Sequence, residues 1–270
     1  GLALYVGPML LDALAAGMRG SSAPAPALGM LRSPLMWCAL LAAAAAAFPQ
    51  EIAAAGSPAT RARLRAERLV FTGHIASFGT GAGVRLVVGV WAASPYGNFA
   101  DVMVQTADDE RVLLAPDEEI ADFVGSTYQF DRVVLGPVDA DLAPDRLTVT
   151  APGLDVAVRI GGPAPLDRLL RLVPGRLATA PWWLRAIDPV AARIVAGVHT
   201  AGSAGNGRRE YYGVRRSRQI VGVAGSFAGQ DLGAVAPLLP PVGFGFSSAP
   251  PAPQIVAVTT TIDLPASVTH

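Results

Sequence analysis

Lysine is missing from the 270-residue chain, so all 21 basic side chains are arginines. Without lysine the protein can form no Schiff base, anchor no pyridoxal phosphate and supply no P-loop ammonium. Cysteine is nearly as scarce: Cys38 stands alone, which excludes an intrachain disulfide and a cysteine-based zinc site. Its thiol lies in an apolar run, the setting of inert packing rather than of a nucleophile. Histidine occurs at His74, His199 and His270 only. Net charge is also absent, with 21 acids against 21 arginines, so no nucleic-acid partner is expected.

What is present is 51% hydrophobic and 16% charged, the balance of a globular protein with a sizeable core. The charges are unevenly placed. Acids crowd between Asp101 and Asp145, where Arg111 and Arg132 are the only bases, whereas Arg208, Arg209, Arg215, Arg216 and Arg218 surround the lone acid Glu210. The plain reading is of solvated faces that partly neutralise each other.

Composition divides the chain into residues 1–68, residues 69–263 and a tail, 264–270. The first part is rich in alanine and broken by Pro24, Pro26, Pro34, Pro49 and Pro58, which points to helical or loosely structured chain. Pro34–Phe48 is an unbroken apolar run, shorter than the roughly 20 residues a spanning helix needs. Read from Met30, however, the order of basic residue, apolar stretch and small residues is that of a secretory signal or anchor over residues 30–55. Three readings stay open: a signal or anchor with possible membrane contact, the loosely structured remnant of an upstream segment, and a packed helical pair. The protein is secreted or membrane-anchored in the first case and cytoplasmic otherwise.

From Leu69 the pattern turns to strands. Phe71–Ser77 and Val84–Trp91 flank the glycine loop 79–83, and apolar residues occupy both faces of the second, which marks it as central. A strand follows that loop rather than a helix, so it is no phosphate-binding turn. Asp101–Thr106 and Arg111–Ala115 read as a hairpin. Asp117 is placed to cap a helix with Glu118 and Glu119 in its first turn, and Ile120, Phe123, Val124 and Tyr128 form its apolar stripe. Arg132–Val138, Leu147–Thr150 and Leu154–Ile160 continue the strands, the last two joined by a turn at Pro152-Gly153. Asp139, Asp141 and Asp145 read as solvated loop residues rather than a metal cluster. Helices are expected after Pro165 and over Pro181–Ala196, with Pro189 as a kink, and strands over Arg209–Val214, Gln219–Phe227 and Ile255–Ile262. About nine strands and three helices linked by short turns imply an α+β fold, a mainly antiparallel curved sheet or barrel.

The densest polar segment is Gly197–Tyr212. It holds His199, a glycine-rich loop and a strand on which Arg209 and Tyr211 face one way while Glu210 and Tyr212 face the other. With the first pair inward, Arg209 and Tyr211 would hold a polar group of a ligand; with the second inward, Glu210 becomes a possible acid or base. A salt-bridged hairpin in which arginine packs over tyrosine is the structural alternative. Trp182 and Trp183 are candidate walls of a ligand cavity. His74 is a core histidine or a partner for His199. The nearest approach to a nucleophile elbow, Gly245–Ala249, is followed by Pro250 and Pro251, which bar the helix it needs.

Phe71-Thr-Gly-His74, Trp91–Asp101, Gly202–Gly213 and Phe244–Pro250 resemble an uncharacterised family of actinobacterial proteins over residues 69–262. That family has no assigned activity, so the resemblance transfers no site residue. A looser likeness to lipocalin-type barrels rests on strand count. The reading that follows is a module binding a small apolar molecule, with His199, Arg209 and Tyr211 at its polar end and no cofactor or metal. Two alternatives stand beside it. One is a cofactor-free isomerase, lyase or hydrolase using His199 or Glu210 as base with Arg209; the other is a membrane-tethered structural or interaction protein. The oligomeric state is left open.

Overall fold

The structure, a computed structural model, describes residues 67–194, 198–245 and 249–265. The expectations for residues 1–66, including the signal or anchor near 30–55, lie outside the described residues, as do those for residues 266–270.

Period-two alternation of apolar residues builds one curled sheet. Its strands are β1 (Arg68–Thr80), β2 (Arg85–Ala93), β3 (Phe99–Gln105), β4 (Arg111–Ala115), β5 (Arg132–Leu135), β6 (Asp139–Leu142), β7 (Arg146–Ala151), β8 (Leu154–Pro163), β9 (Ala201–Ser203), β10 (Arg209–Phe227), β11 (Gln230–Asp231), β12 (Val235–Ala236) and β13 (Gln254–Asp263). The order across the sheet is β5-β4-β3-β2-β1-β13-β10-β8-β7-β6, with β9 and β11 paired to β10 and β12 paired to β1. All pairs are antiparallel except β4 with β5. The fold is α+β, a curled half-barrel, as the strand pattern implies.

Four helices accompany the sheet among the described residues: α1 (Glu118–Thr127), α2 (Asp167–Leu170), α3 (Gly175–Ala178) and α4 (Pro181–Ile194). In α1 the Asp117 side chain accepts from Ile120 N at 2.9 Å, the cap its sequence announces. Ile120, Phe123 and Val124 are buried along the stripe. The stretch after Pro165 is shorter than its leucine spacing suggests. Pro174 sits in an extended conformation as the cap of α3, so the chain restarts instead of continuing α2.

The strands depart most from the sequence reading in two places. Asp139–Leu142 is an edge strand on β7 rather than a loop, because its alternation of exposed aspartates with half-buried Ala140 and Leu142 suits an edge. Arg209–Val214 and Gln219–Phe227 belong to one 19-residue strand, since the arginine-rich stretch between them also pairs with β13. A bulge at Arg215 interrupts that ladder: Val214 pairs with Val258 and Arg216 with the next residue back, Ala257. The extra residue moves the inward set from even to odd numbers, so that Glu210, Tyr212, Val214 and then Ser217 all face one cavity.

The two faces of the sheet have different tasks. Ala76, Phe78, Leu86, Val88, Val102 and Val104 meet Leu147, Val149, Val156 and Val158 in a common core, which requires the two wings of the sheet to curl toward each other. On the alternate positions Ile75, Val87, Met103 and Val256 face a cavity covered by the helices and by the segment containing Val242 and Phe244. One buried acid fastens that cover. Asp167 of α2 is fully buried, accepts from Ser217 N at 2.9 Å and Arg216 Nε at 3.0 Å through one oxygen, and accepts from Arg171 Nε at 2.8 Å through the other. Burial alone would raise its pKa, but the Ser217 amide and the two guanidiniums bring it below the ordinary carboxylate value. Asp167→Ala is therefore expected to destabilise the fold by roughly 1.5–3 kcal/mol, the worth of hydrogen bonds to a charged group, with Asp167→Asn in between. Urea unfolding of the three proteins measures this.

Candidate functional site

A cavity of about 270 Å³ lies between the sheet and its helical cover. Its walls are mostly aliphatic and aromatic, with Phe71, Trp91, Phe99, Phe123, Tyr128 and Trp183 supplying the rings. The exceptions are few, and two are carboxyl groups.

Glu210 of β10 is 1% exposed. Tyr128, which follows α1, donates to Glu210 Oε1 at 2.7 Å, and the Tyr128 and Tyr212 hydroxyls are 2.8 Å apart. Glu210 Oε2 has no hydrogen-bond partner, and neither has the hydroxyl of Thr260, which pairs across the ladder with Tyr212. Burial pushes the Glu210 carboxyl up from 4.5 to about 7, against the lowering effect of the two phenols. Both phenols are held well above their usual range, chiefly by burial and then by the Glu210 charge.

Asp101 of β3 is the second acid, 3% exposed. It accepts from Trp91 Nε1 at 2.9 Å. Burial raises it from 3.8 to about 7, with the indole bond acting in the opposite direction. Its charge also contributes to the rise at Tyr212, which places the two groups within electrostatic reach across the cavity. Gly89, the ladder partner of Asp101, makes this geometry possible. A Cβ there would run into Asp101 Oδ1 and lie 2.6 Å from Trp91 Nε1, so only glycine leaves room for the bond.

The residues singled out from sequence separate into groups. Glu210 and Trp183 line the cavity, and so does His199 at its half-exposed rim. His199 Nδ1 lies 3.4 Å from Asp188 Oδ2, while Asp188 Oδ1 accepts from Thr200 N at 2.6 Å and Ala201 N at 3.0 Å, which fixes the chain entering β9. Arg209 is exposed and outside the cavity. Tyr211 is buried against Trp183 and Leu184 and is not part of the cavity lining. The inward pair is thus Glu210 with Tyr212, since both line the cavity while Tyr211 and Arg209 do not, and Arg209 is left exposed. Trp182 is 59% exposed and is no cavity wall. His74 is absent from the lining and sits on the alternate face of β1, so it does not meet His199; burial and then Arg215 lower its pKa. Among the described residues no three His, Cys, Asp or Glu side chains are grouped to hold a metal ion.

Three contributors were not legible as site residues. Asp101 reads as one of a run of solvated acids, yet it lies between Phe99 and Met103 on an apolar strand face, and that interruption is the signal that marks it. Tyr128 reads as the end of a helical stripe; nothing local announces that its hydroxyl meets Glu210. Thr260 is hidden in a β-branched strand.

No family model and no curated protein matches the chain. Among solved structures, the chain is similar to an acetoacetate decarboxylase from Legionella pneumophila, at 10% identity and a TM-score of 0.36, covering 76% of this chain and 88% of that one. A likeness at that level carries no functional argument.

The two raised carboxyls make stability depend on pH with a definite sign. Between the ordinary carboxylate range and about 7 the folded protein holds protons that the unfolded chain has released, so stability falls as pH rises through that window and levels off above it. Each group contributes on the order of 4 kcal/mol to that fall, at about 1.4 kcal/mol per pKa unit. Glu210→Gln and Asp101→Asn should each flatten the loss between pH 5 and pH 8, measured by chemical denaturation across that range.

Proposed function

We propose that the protein binds a small, largely apolar molecule in this cavity, with the polar end of that molecule held at Glu210, Tyr128 and Tyr212. The observation that carries the reading is a cavity with aromatic and aliphatic walls in which a few polar groups converge, the usual form of a small-molecule site. Unpartnered Glu210 Oε2 and Thr260 Oγ1 supply capacity for a ligand's hydrogen bonds. This replaces Arg209 and Tyr211 as the polar end; His199 keeps a place at the rim and Trp183 in the wall.

A second reading, a cofactor-free enzyme, is favoured by the same carboxyls. An acid that titrates near 7 exchanges protons efficiently at neutral pH. In this reading Glu210 and Asp101 are the acid and base, and Arg209 has no part. The third reading, a membrane-tethered interaction protein, depends on residues 30–55, outside the described residues; among the described residues no helix is long and apolar enough to cross a membrane.

Binding is testable through Trp91 and Trp183, whose indoles line the cavity. Titration with small apolar molecules should change their fluorescence and raise the melting temperature. Val256→Phe, which fills the space from β13, should abolish both responses while leaving the circular dichroism spectrum unchanged. Responses that survive this substitution would place binding elsewhere.

A further inference from the structure

The buried acids of this protein are treated in two ways. Asp167 is met by two arginines and a backbone amide. Asp101 and Glu210 are met by an indole N–H and by phenols, and no arginine takes part in setting the state of either. The chain pairs Asp131, Glu110 and Asp263 with arginines toward the surface and Asp109 with the buried Arg85. Among the described residues that line the cavity, His199 at the rim is the one able to carry positive charge. Buried acids are normally paired with a cation, and the described lining supplies none to Asp101 or Glu210.

The hydrogen-bonding capacity points the same way. Oε1 of Glu210 is taken by Tyr128, and the two phenols engage each other, while Glu210 Oε2 and Thr260 Oγ1 have no partner although both residues are buried. An ionised carboxylate accepts only, and a hydroxyl can accept as well. An ammonium carries three N–H donors and no acceptor, and its charge is attracted to the faces of aromatic rings such as those lining this cavity. A carboxylate ligand would instead add negative charge to a space whose described lining holds two acids and no arginine.

We propose that the molecule this cavity takes is an organic ammonium with an apolar body, its nitrogen held at Glu210 and Thr260 and its hydrocarbon between the aromatic walls. The proposal rests on the ligand-binding reading above and narrows it to one charge class.

Three probes with the same tail separate the two claims: n-octylamine, 1-octanol and octanoate, each titrated into the intact chain at pH 8 and followed by tryptophan fluorescence and calorimetry. Octylamine is expected to bind at least tenfold more tightly than octanol, with octanoate weakest. Glu210→Gln should bring octylamine to the level of octanol or below while octanol binding persists, and Asp101→Asn should narrow the preference by a smaller factor. Octanol or octanoate binding as tightly as the amine would overturn the ammonium assignment and leave the binding reading standing. So would an amine preference unchanged in both variants. Failure of all three probes to bind would overturn both.

Discussion

Taking a carboxyl group out of water is among the least favourable acts in folding, and among its described residues this protein does it three times by two different means. At Asp167 the charge is kept and compensated, and the compensation ties α2 to β10 through Arg216 and Ser217. At Asp101 and Glu210 the charge is instead disfavoured, and each carboxyl moves toward its protonated form at neutral pH. The first arrangement closes the cavity; the second gives it a chemical character. A cover fastened by a fully paired acid thus protects two acids that no described arginine meets.

The long strand β10 connects these features. It carries Glu210 and Tyr212 near one end and Ser217 beyond the bulge, and it pairs with β13 along one edge and with β8 along the other. Without the extra residue at Arg215, strict alternation would turn Ser217 away from the face that Glu210 and Tyr212 share. The bulge thus allows one strand to present polar groups to the cavity along most of the paired length while its neighbours stay in register. Gly89 does the corresponding work on β2, where the missing side chain makes room for the Trp91–Asp101 bond.

Legibility from sequence followed the range of the interactions. The hairpins, the cap at Asp117, the positive-φ turn at Gly153 and the apolar stripe of α1 depend on residues close in the chain and were readable from it. The two-residue strands β11 and β12 carry no periodicity to read, and β10 looked like two strands because a basic segment in its middle breaks the apolar pattern. In the candidate site, Glu210 was visible as one of two possible inward residues. Asp101 and Tyr128 were not, since their roles arise only where β3, the end of α1 and β10 come together.

The sequence by itself determined the chemistry that is unavailable, because no folding can supply a lysine or a second cysteine, and it determined the strand-rich class, because alternation is local. It also narrowed the polar strand to two facings without choosing between them. Only the tertiary structure made that choice: Glu210 and Tyr212 line the cavity while Tyr211 is buried outside its lining, and curling the sheet brings Asp101 into the electrostatic neighbourhood of Tyr212. The physical reason is that a carboxyl's state is set by what surrounds it in space, and that surrounding exists only once distant strands share one cavity.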